Sequence, residues 1–184
     1  MKSSNIDYSV AQKSLHWLMG LAIMLDLFVA QKFGGVMTNV DRFESRSDHA
    51  SLGTLVVAFL AVRLLFRIHQ GTPPLPGDIP GWQQRAAHTM HIALYTLIGV
   101  LGVSGITAAA NADSVVSPFG LFSYGDGAGS TALFNTARSI HELSTELIIG
   151  LIALHIAAAI YHLVSSHRRL TLRMLTFWKS GNSS

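Results

Sequence analysis

Four long apolar stretches constrain what this chain can fold into more than any other feature. They cover about residues 14–33, 49–66, 87–110 and 140–164. A helix rises 1.5 Å per residue and the hydrocarbon core of a bilayer is about 30 Å thick, so each stretch can cross a membrane. Only 12% of the 184 residues are charged, about half the share of a soluble domain. The sequence therefore predicts an all-α fold, an integral membrane four-helix bundle that forms one domain over residues 1–184.

The distribution of positive charge predicts how this bundle is oriented. If the chain starts inside, the inner segments carry nine Lys and Arg residues and the outer segments carry four. This bias favours both termini on the cytoplasmic side. The net charge of +3 is spread over connections and tails rather than along one face. We therefore expect membrane lipid, and no nucleic acid, as a partner.

The first apolar stretch is expected to remain in the protein as a membrane helix. A cleaved signal peptide is the alternative, because the segment has a basic start and an apolar middle. However, it is about 20 residues long, contains Asp26, and lacks an A-x-A cleavage site. Cleavage would also remove His16.

The chain contains no cysteine and nine histidines. Disulfides, iron–sulfur clusters and covalently attached haem are therefore excluded. Imidazole is the remaining strong ligand for a transition metal. Any metal chemistry of this protein is thus expected to depend on histidine.

Four histidines form two pairs that the predicted topology places at matching depths. His141 and His155 are 14 residues apart on the fourth helix, nearly on one face and about 21 Å apart. His16 lies level with His155, and His49 lies level with His141. A lone histidine near a helix end is more often an interfacial polar group. Two matched pairs instead favour axial ligation of two haems b, with His16–His155 and His49–His141 saturating the irons for electron transfer.

Glycines lie close to these histidines in the sequence. Gly20 and Gly53 each follow a histidine by four residues, and Gly150 lies between the two histidines of the fourth helix. Glycine permits a flat haem to approach a helix backbone, but small residues also serve helix–helix packing. The sequence leaves both explanations open.

The remaining polar residues of the inner side have two explanations each. His91 and His162 could hydrogen-bond the carbonyls of a quinone, or could be interfacial groups, and the sequence does not separate His91 from His88. Arg63 and Arg67 could pair with haem propionates, or could follow the positive-inside bias.

Several short motifs follow one another along nearly the whole chain. They are LHWL around His16, H-x-x-x-G at His49, VRLLFR at 62–67, AHTMHIALY at 87–95, HE at 141–142, HIAAAIYH at 155–162 and LTLRML at 170–175. In this order they resemble the prokaryotic cytochrome b561 family. The resemblance implies a bacterial inner-membrane protein with two haems b, held by His16, His49, His141 and His155.

The resemblance also implies an activity. Some members look like superoxide oxidases, which pass electrons from periplasmic superoxide through both haems to ubiquinone, and their quinone-contacting residues would correspond to His91 and His162. A superoxide:ubiquinone oxidoreductase is thus the leading hypothesis. The first alternative is a haem-bearing membrane anchor that relays electrons between quinone and a partner dehydrogenase or hydrogenase. The second is a transporter or scaffold without redox chemistry.

Overall fold

The fold is entirely helical in the part of the chain that can be described. The computed structural model describes residues 7–31, 38–74, 79–165 and 168–177, apart from the side chains of residues 39–43. Its α-helices are α1 (Val10–Ala30), α2 (Asn39–Gln70), α3 (Gly81–Ala110), α4 (Thr131–Val164) and α5 (Arg169–Leu175), with a 3₁₀ turn at Pro118–Gly120. These residues include no β-strand. The predicted all-α class is confirmed for them.

Four of these helices are long and apolar enough to cross a membrane: α1, residues 44–70 of α2, α3 and α4. Large apolar side chains cover their outer faces, and Phe28 and Val103 are 67% and 70% exposed. Such surfaces are unfavourable in water but match a hydrocarbon solvent. The prediction of four long apolar helices that can cross a membrane is therefore confirmed, whereas the short helix α5 was not predicted.

The helices extend beyond the apolar stretches that predicted them. Helix α2 begins 10 residues before the predicted start at residue 49, and α4 begins nine residues before residue 140. Helices α1 and α3 begin at residues 10 and 81 rather than 14 and 87, and residues 32–33 lie outside the described part. Hydropathy detects only the part of a helix that lies in lipid. The polar ends are instead marked by caps, since Ser9 accepts a hydrogen bond from the Gln12 amide and Ser130 from the Leu133 amide.

Successive helices pack side by side, α1 on α2, α2 on α3 and α3 on α4. Their buried core consists of Met19, Ala22, Val56, Leu60, Ile98 and Ile148. At the α2–α3 contact, a Cβ atom on Gly102 would lie 2.5 Å from Cγ2 of Val57. Glycine is therefore needed there for the two helices to approach this closely.

One end of the bundle, here called the terminal end, holds the start of α1 and the end of α4. Lys13 is buried there, and its Nζ donates hydrogen bonds to Asp7 at 2.8 Å and to the Thr176 carbonyl at 2.7 Å. Trp17 Nε1 donates to the Met174 carbonyl at 2.9 Å. These bonds hold α5 and the segment after it against α1.

The opposite end, here called the loop end, is covered by residues 111–130. This connection folds back onto α2, where the Phe119 amide donates to Ser51 Oγ at 2.8 Å. The hydroxyls of Tyr124 on this connection and Thr54 on α2 lie 2.7 Å apart. The connection is thus attached to α2 as well as to the helices that it joins.

Candidate functional site

Two histidines meet near the loop end. The ring centroids of His49 and His141 are 5.8 Å apart, with an interplanar angle of 88°. Nδ1 of His49 lies 2.7 Å from Oδ1 of Asp26 on α1. Nδ1 of His141 lies 3.1 Å from the Leu101 carbonyl and 3.2 Å from the Ser104 hydroxyl. These bonds orient both rings so that Nε2 is the nitrogen that would bind a metal.

Three histidines meet nearer the terminal end. The rings of His16 and His155 are 6.3 Å apart, and those of His91 and His155 are 5.6 Å apart. His91 also directs Nδ1 to the Ala87 carbonyl, at 2.7 Å. The structure thus brings together both pairs that the sequence predicted, and adds His91 to one of them. We call His16, His91 and His155 the terminal-end histidines, and His49 and His141 the loop-end pair.

The ring spacings fit axial ligation of a haem iron. An imidazole nitrogen lies about 2.0 Å from a metal that it binds and its ring centre about 1.1 Å farther back, which puts two axial rings about 6 Å apart. The described residues contain no group of three or more His, Asp or Glu side chains that could hold a metal ion. A porphyrin iron needs only two protein ligands. The 6.3 Å spacing of His16 and His155 fits this distance, and the 5.6 Å spacing of His91 and His155 is a few tenths of an ångström shorter.

The glycines near the histidines have different surroundings. A Cβ atom on Gly20 or Gly150 would have no neighbour within 4 Å, and one on Gly53 would make an ordinary 3.8 Å contact with Asp26. Close helix packing therefore does not explain them. Gly150 is exposed and lies half a turn around α4 from His141. It is therefore not on the face of α4 where a haem bound to His141 would approach the backbone.

Gly105, which the sequence analysis did not single out, is the glycine in closest contact with a histidine of either pair. Its Cβ position lies 3.2 Å from Cε1 of His141.

Arg63 is buried at the terminal end and serves as more than an interfacial charge. Its Nε donates to the Tyr95 hydroxyl at 3.1 Å, and one terminal nitrogen donates to the Gln12 carbonyl at 3.2 Å. It interacts electrostatically with all three terminal-end histidines. The guanidinium of Arg67 lies 5.6 Å from the centroid of the Tyr95 ring. Positive-inside bias alone does not account for a buried arginine in these contacts.

A small cavity opens beside these arginines. It is lined by Tyr8, Gln12, Arg63, Arg67, Thr72, Tyr95 and Met174. Burial raises the pKa of Tyr8 above its usual value of 10, although the charges of Arg67 and Arg63 act in the opposite direction. The cavity is therefore a partly dry and positively charged site.

The other two histidines that the sequence analysis considered for a quinone site, His88 and His162, have different positions. His88 is exposed on the surface of α3, whereas His91 is half-buried against His155. His162 is also half-buried, next to the ring of Tyr161 at 5.5 Å. It follows His155 by seven residues, nearly on the same face and about 10 Å closer to the terminal end. Of the two candidates on α3, His91 is thus the one that faces the other site residues.

A comparison with known families shows which family this chain belongs to. The sequence profile of prokaryotic cytochrome b561 matches residues 7–177. The chain is a member of the prokaryotic cytochrome b561 family. Membership makes it a membrane electron-transfer protein of a family that binds haem b.

Two relatives from Escherichia coli strain K12 support this membership. Cytochrome b561 homolog 1 is 25% identical over 169 residues, which cover 91% of this chain and 96% of the relative. Cytochrome b561 homolog 2 is 28% identical over 120 residues, which cover 62% of each chain. The first match shows that the similarity to the cytochrome b561 proteins extends over nearly the full length.

Two contacts of this b561 site were not predicted from the sequence. The bond between Asp26 and His49 has a sequence signal, because a carboxylate inside an apolar span is costly unless it has a partner. The approach of His91 to His155 has none, because it depends on how α3 is rotated against α4. Only the structure identifies these partners.

Proposed function

We propose that this chain carries electrons across the bacterial inner membrane, from periplasmic superoxide to ubiquinone. The observation that supports the proposal is the arrangement of two histidine groups about 21 Å apart along α4. Each has the ring spacing of axial haem ligands. The positive-inside bias of the sequence supports a cytoplasmic position for the terminal end.

Two haems b would be held by the loop-end pair and by His16 with His155. Bound haem b supplies reversible one-electron transfer. The Leu101 carbonyl keeps the ring of His141 in the orientation that ligation requires. Arg63 and Arg67 would bind propionates, because a guanidinium matches the geometry of a carboxylate.

His91 and His162 would bind the two carbonyl oxygens of ubiquinone. A quinone ring that accepts a hydrogen bond at each end spans about 11 Å between donors. His162 lies about 10 Å along α4 from His155, and the ring of His91 is next to that of His155. Two superoxide ions each lose one electron and become O₂. One ubiquinone takes up these two electrons and two protons from the cytoplasmic side, and becomes ubiquinol.

Haem content and superoxide-driven ubiquinone reduction by the purified chain test this proposal. We expect two haems b per wild-type chain and one in His155→Ala. His91→Ala should keep both haems but reduce ubiquinone more slowly. His88→Ala is the matched control, because this side chain is exposed on the same helix, and it should behave as wild type.

Three results would count against the assignment. Wild-type protein without haem would refute the electron-transfer mechanism, and two haems retained in His155→Ala would refute the ligand set. If His91→Ala lost a haem while His16→Ala kept both, His91 rather than His16 would be the partner of His155.

A relay subunit for a partner dehydrogenase or hydrogenase is the second candidate. Phe119 and Leu121, in the connection that covers the loop end, are 52% and 80% exposed. Exposed apolar groups at this position suit contact with another subunit. Purified chain that contains both haems but does not consume superoxide would favour this function.

A further inference from the structure

We propose that charged side chains next to the two histidine groups give electron transfer its direction, from the loop end to the terminal end. Asp26 would lower the reduction potential of the loop-end haem, and Arg63 would raise that of the terminal-end haem. The inference rests on the proposed two-haem function. It adds two residues, neither of them an iron ligand, that set the relative potentials.

Asp26 lies inside the α1 span and contacts His49 directly. Its side chain is only 17% exposed, and Oδ1 is 2.7 Å from Nδ1 of His49. A carboxylate accepts hydrogen bonds, so Nδ1–H of His49 donates to it. This bond fixes the tautomer of the ring and makes Nε2 a more basic ligand. A more basic ligand stabilises ferric iron more than ferrous iron and thereby lowers the potential.

The opposite ligand of the same pair has neutral partners. His141 is held by the carbonyl of Leu101 and the hydroxyl of Ser104. Glu142, the next residue along α4, carries a negative charge, but its side chain is 61% exposed and pairs with Arg138 at 2.7 Å. Solvent and this ion pair screen it. Of these two acidic side chains, Asp26 is therefore the one whose charge acts more strongly on the loop-end pair.

The terminal-end histidines have positive neighbours. Arg63 is buried, so water screens its charge only weakly. This charge acts on His16, His91 and His155, and Arg67 also acts on His91. A nearby positive charge, or the neutralisation of a propionate by an arginine, favours the reduced iron. Both effects raise the potential at the terminal end.

A lower potential at the loop end and a higher potential at the terminal end together favour electron transfer along the bundle. A one-electron donor at the loop end would reduce the more negative site first, and transfer toward the terminal end would then be favourable. The electron arrives next to His91 and His162, where ubiquinone would accept it. Return of electrons to oxygen at the loop end would be disfavoured by the same difference.

A spectroscopic redox titration of the purified haem-loaded protein tests the inference. Asp26→Asn keeps the size of the side chain and an acceptor oxygen but removes the charge. We expect the midpoint potential of the loop-end haem to rise and the other to stay unchanged. The reduction equilibrium should change tenfold or more, which corresponds to about 59 mV or more for one electron. Arg63→Gln should lower the other midpoint potential. Glu142→Gln is the control for loss of a negative charge nearby, and should shift the loop-end midpoint less than Asp26→Asn.

The outcomes separate the inference from the proposed function. Wild-type protein with fewer than two haems would mean that the proposed function is wrong. Two haems whose potentials do not respond to Asp26→Asn, or respond equally to Glu142→Gln, would refute only the charge gradient. If Asp26→Asn lost the loop-end haem, Asp26→Glu, which keeps the charge, should retain it at a near-wild-type potential, and Arg63→Gln would decide the terminal half.

Discussion

Replacing Gly105 by alanine tests whether the ring of His141 needs the space that this glycine leaves on α3. The new Cβ would lie 3.2 Å from Cε1 and 3.3 Å from Nδ1 of His141. Carbon atoms in good contact are about 3.5–4.0 Å apart, so the ring must retreat by about 0.3–0.8 Å. Its Nδ1 is already 3.1 Å from the Leu101 carbonyl on the same helix. Moving away from α3 therefore also weakens the bond that orients the ring.

The size of the effect follows from these contacts. Overpacking of this kind costs about 1–3 kcal/mol, which corresponds to about fivefold to 150-fold weaker haem binding at the loop end. The helix itself should not suffer, because alanine is favoured over glycine by about 0.8–1.0 kcal/mol in a helix interior. The substitution should thus weaken cofactor binding without loosening α3.

Haem transfer to apomyoglobin, followed by absorbance, measures this weakening directly. Gly99→Ala is the matched control, because it makes the same change on the same helix where a Cβ has no neighbour within 4 Å. Gly105→Ala should release one of two haems faster, and Gly99→Ala should release both at the wild-type rate. Identical release from all three proteins would show that His141 does not hold a haem against α3.

Two further predictions concern packing and pH. Gly102→Ala would place a Cβ 2.5 Å from Cγ2 of Val57, so thermal unfolding in detergent should show that the free energy of unfolding falls by about 1–3 kcal/mol. Adding Val57→Ala to this variant should restore stability. An unchanged stability of Gly102→Ala alone would contradict the α2–α3 contact. Because burial raises the pKa of Tyr8, the folded protein keeps this proton when the unfolded chain releases it. The stability from this group is present below pH 10 and is lost as pH rises from 10 through the folded pKa. The tyrosine titration that is missing in Tyr8→Phe, measured by phenolate absorbance, should lie above pH 10. If the missing titration lay at or below pH 10, the burial of Tyr8 would be refuted.

Hydropathy predicted the fold but not the full length of its helices. The apolar stretches located all four long helices, because lipid requires continuous apolar surface. Hydropathy could not show that residues 39–48 and 131–139 are helical, because these segments are more polar and lie outside the apolar stretches. Helix α5 was missed for a different reason, since seven residues are too few for a clear periodic pattern and its position depends on Lys13 and Trp17 on α1.

The sequence predicted how deep in the bundle each histidine of the candidate site lies, but not how each helix is rotated about its own axis. Counting residues along straight helices placed His16 level with His155 and His49 level with His141, and the structure brings the members of each pair together. Rotation of one helix against another depends on side-chain packing across the interface. For this reason the sequence did not show that His91 contacts His155 or that Asp26 reaches His49. Their ligand and tuning roles remain predictions for the experiments above.

The order of the helices along the chain has a consequence for biogenesis. Each histidine pair takes one member from the α1–α2 hairpin and one from α4, which belongs to the α3–α4 hairpin. A nascent chain that has inserted only its first hairpin therefore holds half of each pair. Neither pair can form until the second hairpin has been synthesised and has docked onto the first. Haem binding would thus be a late step of assembly, and each bound haem would link the α1–α2 hairpin to the α3–α4 hairpin.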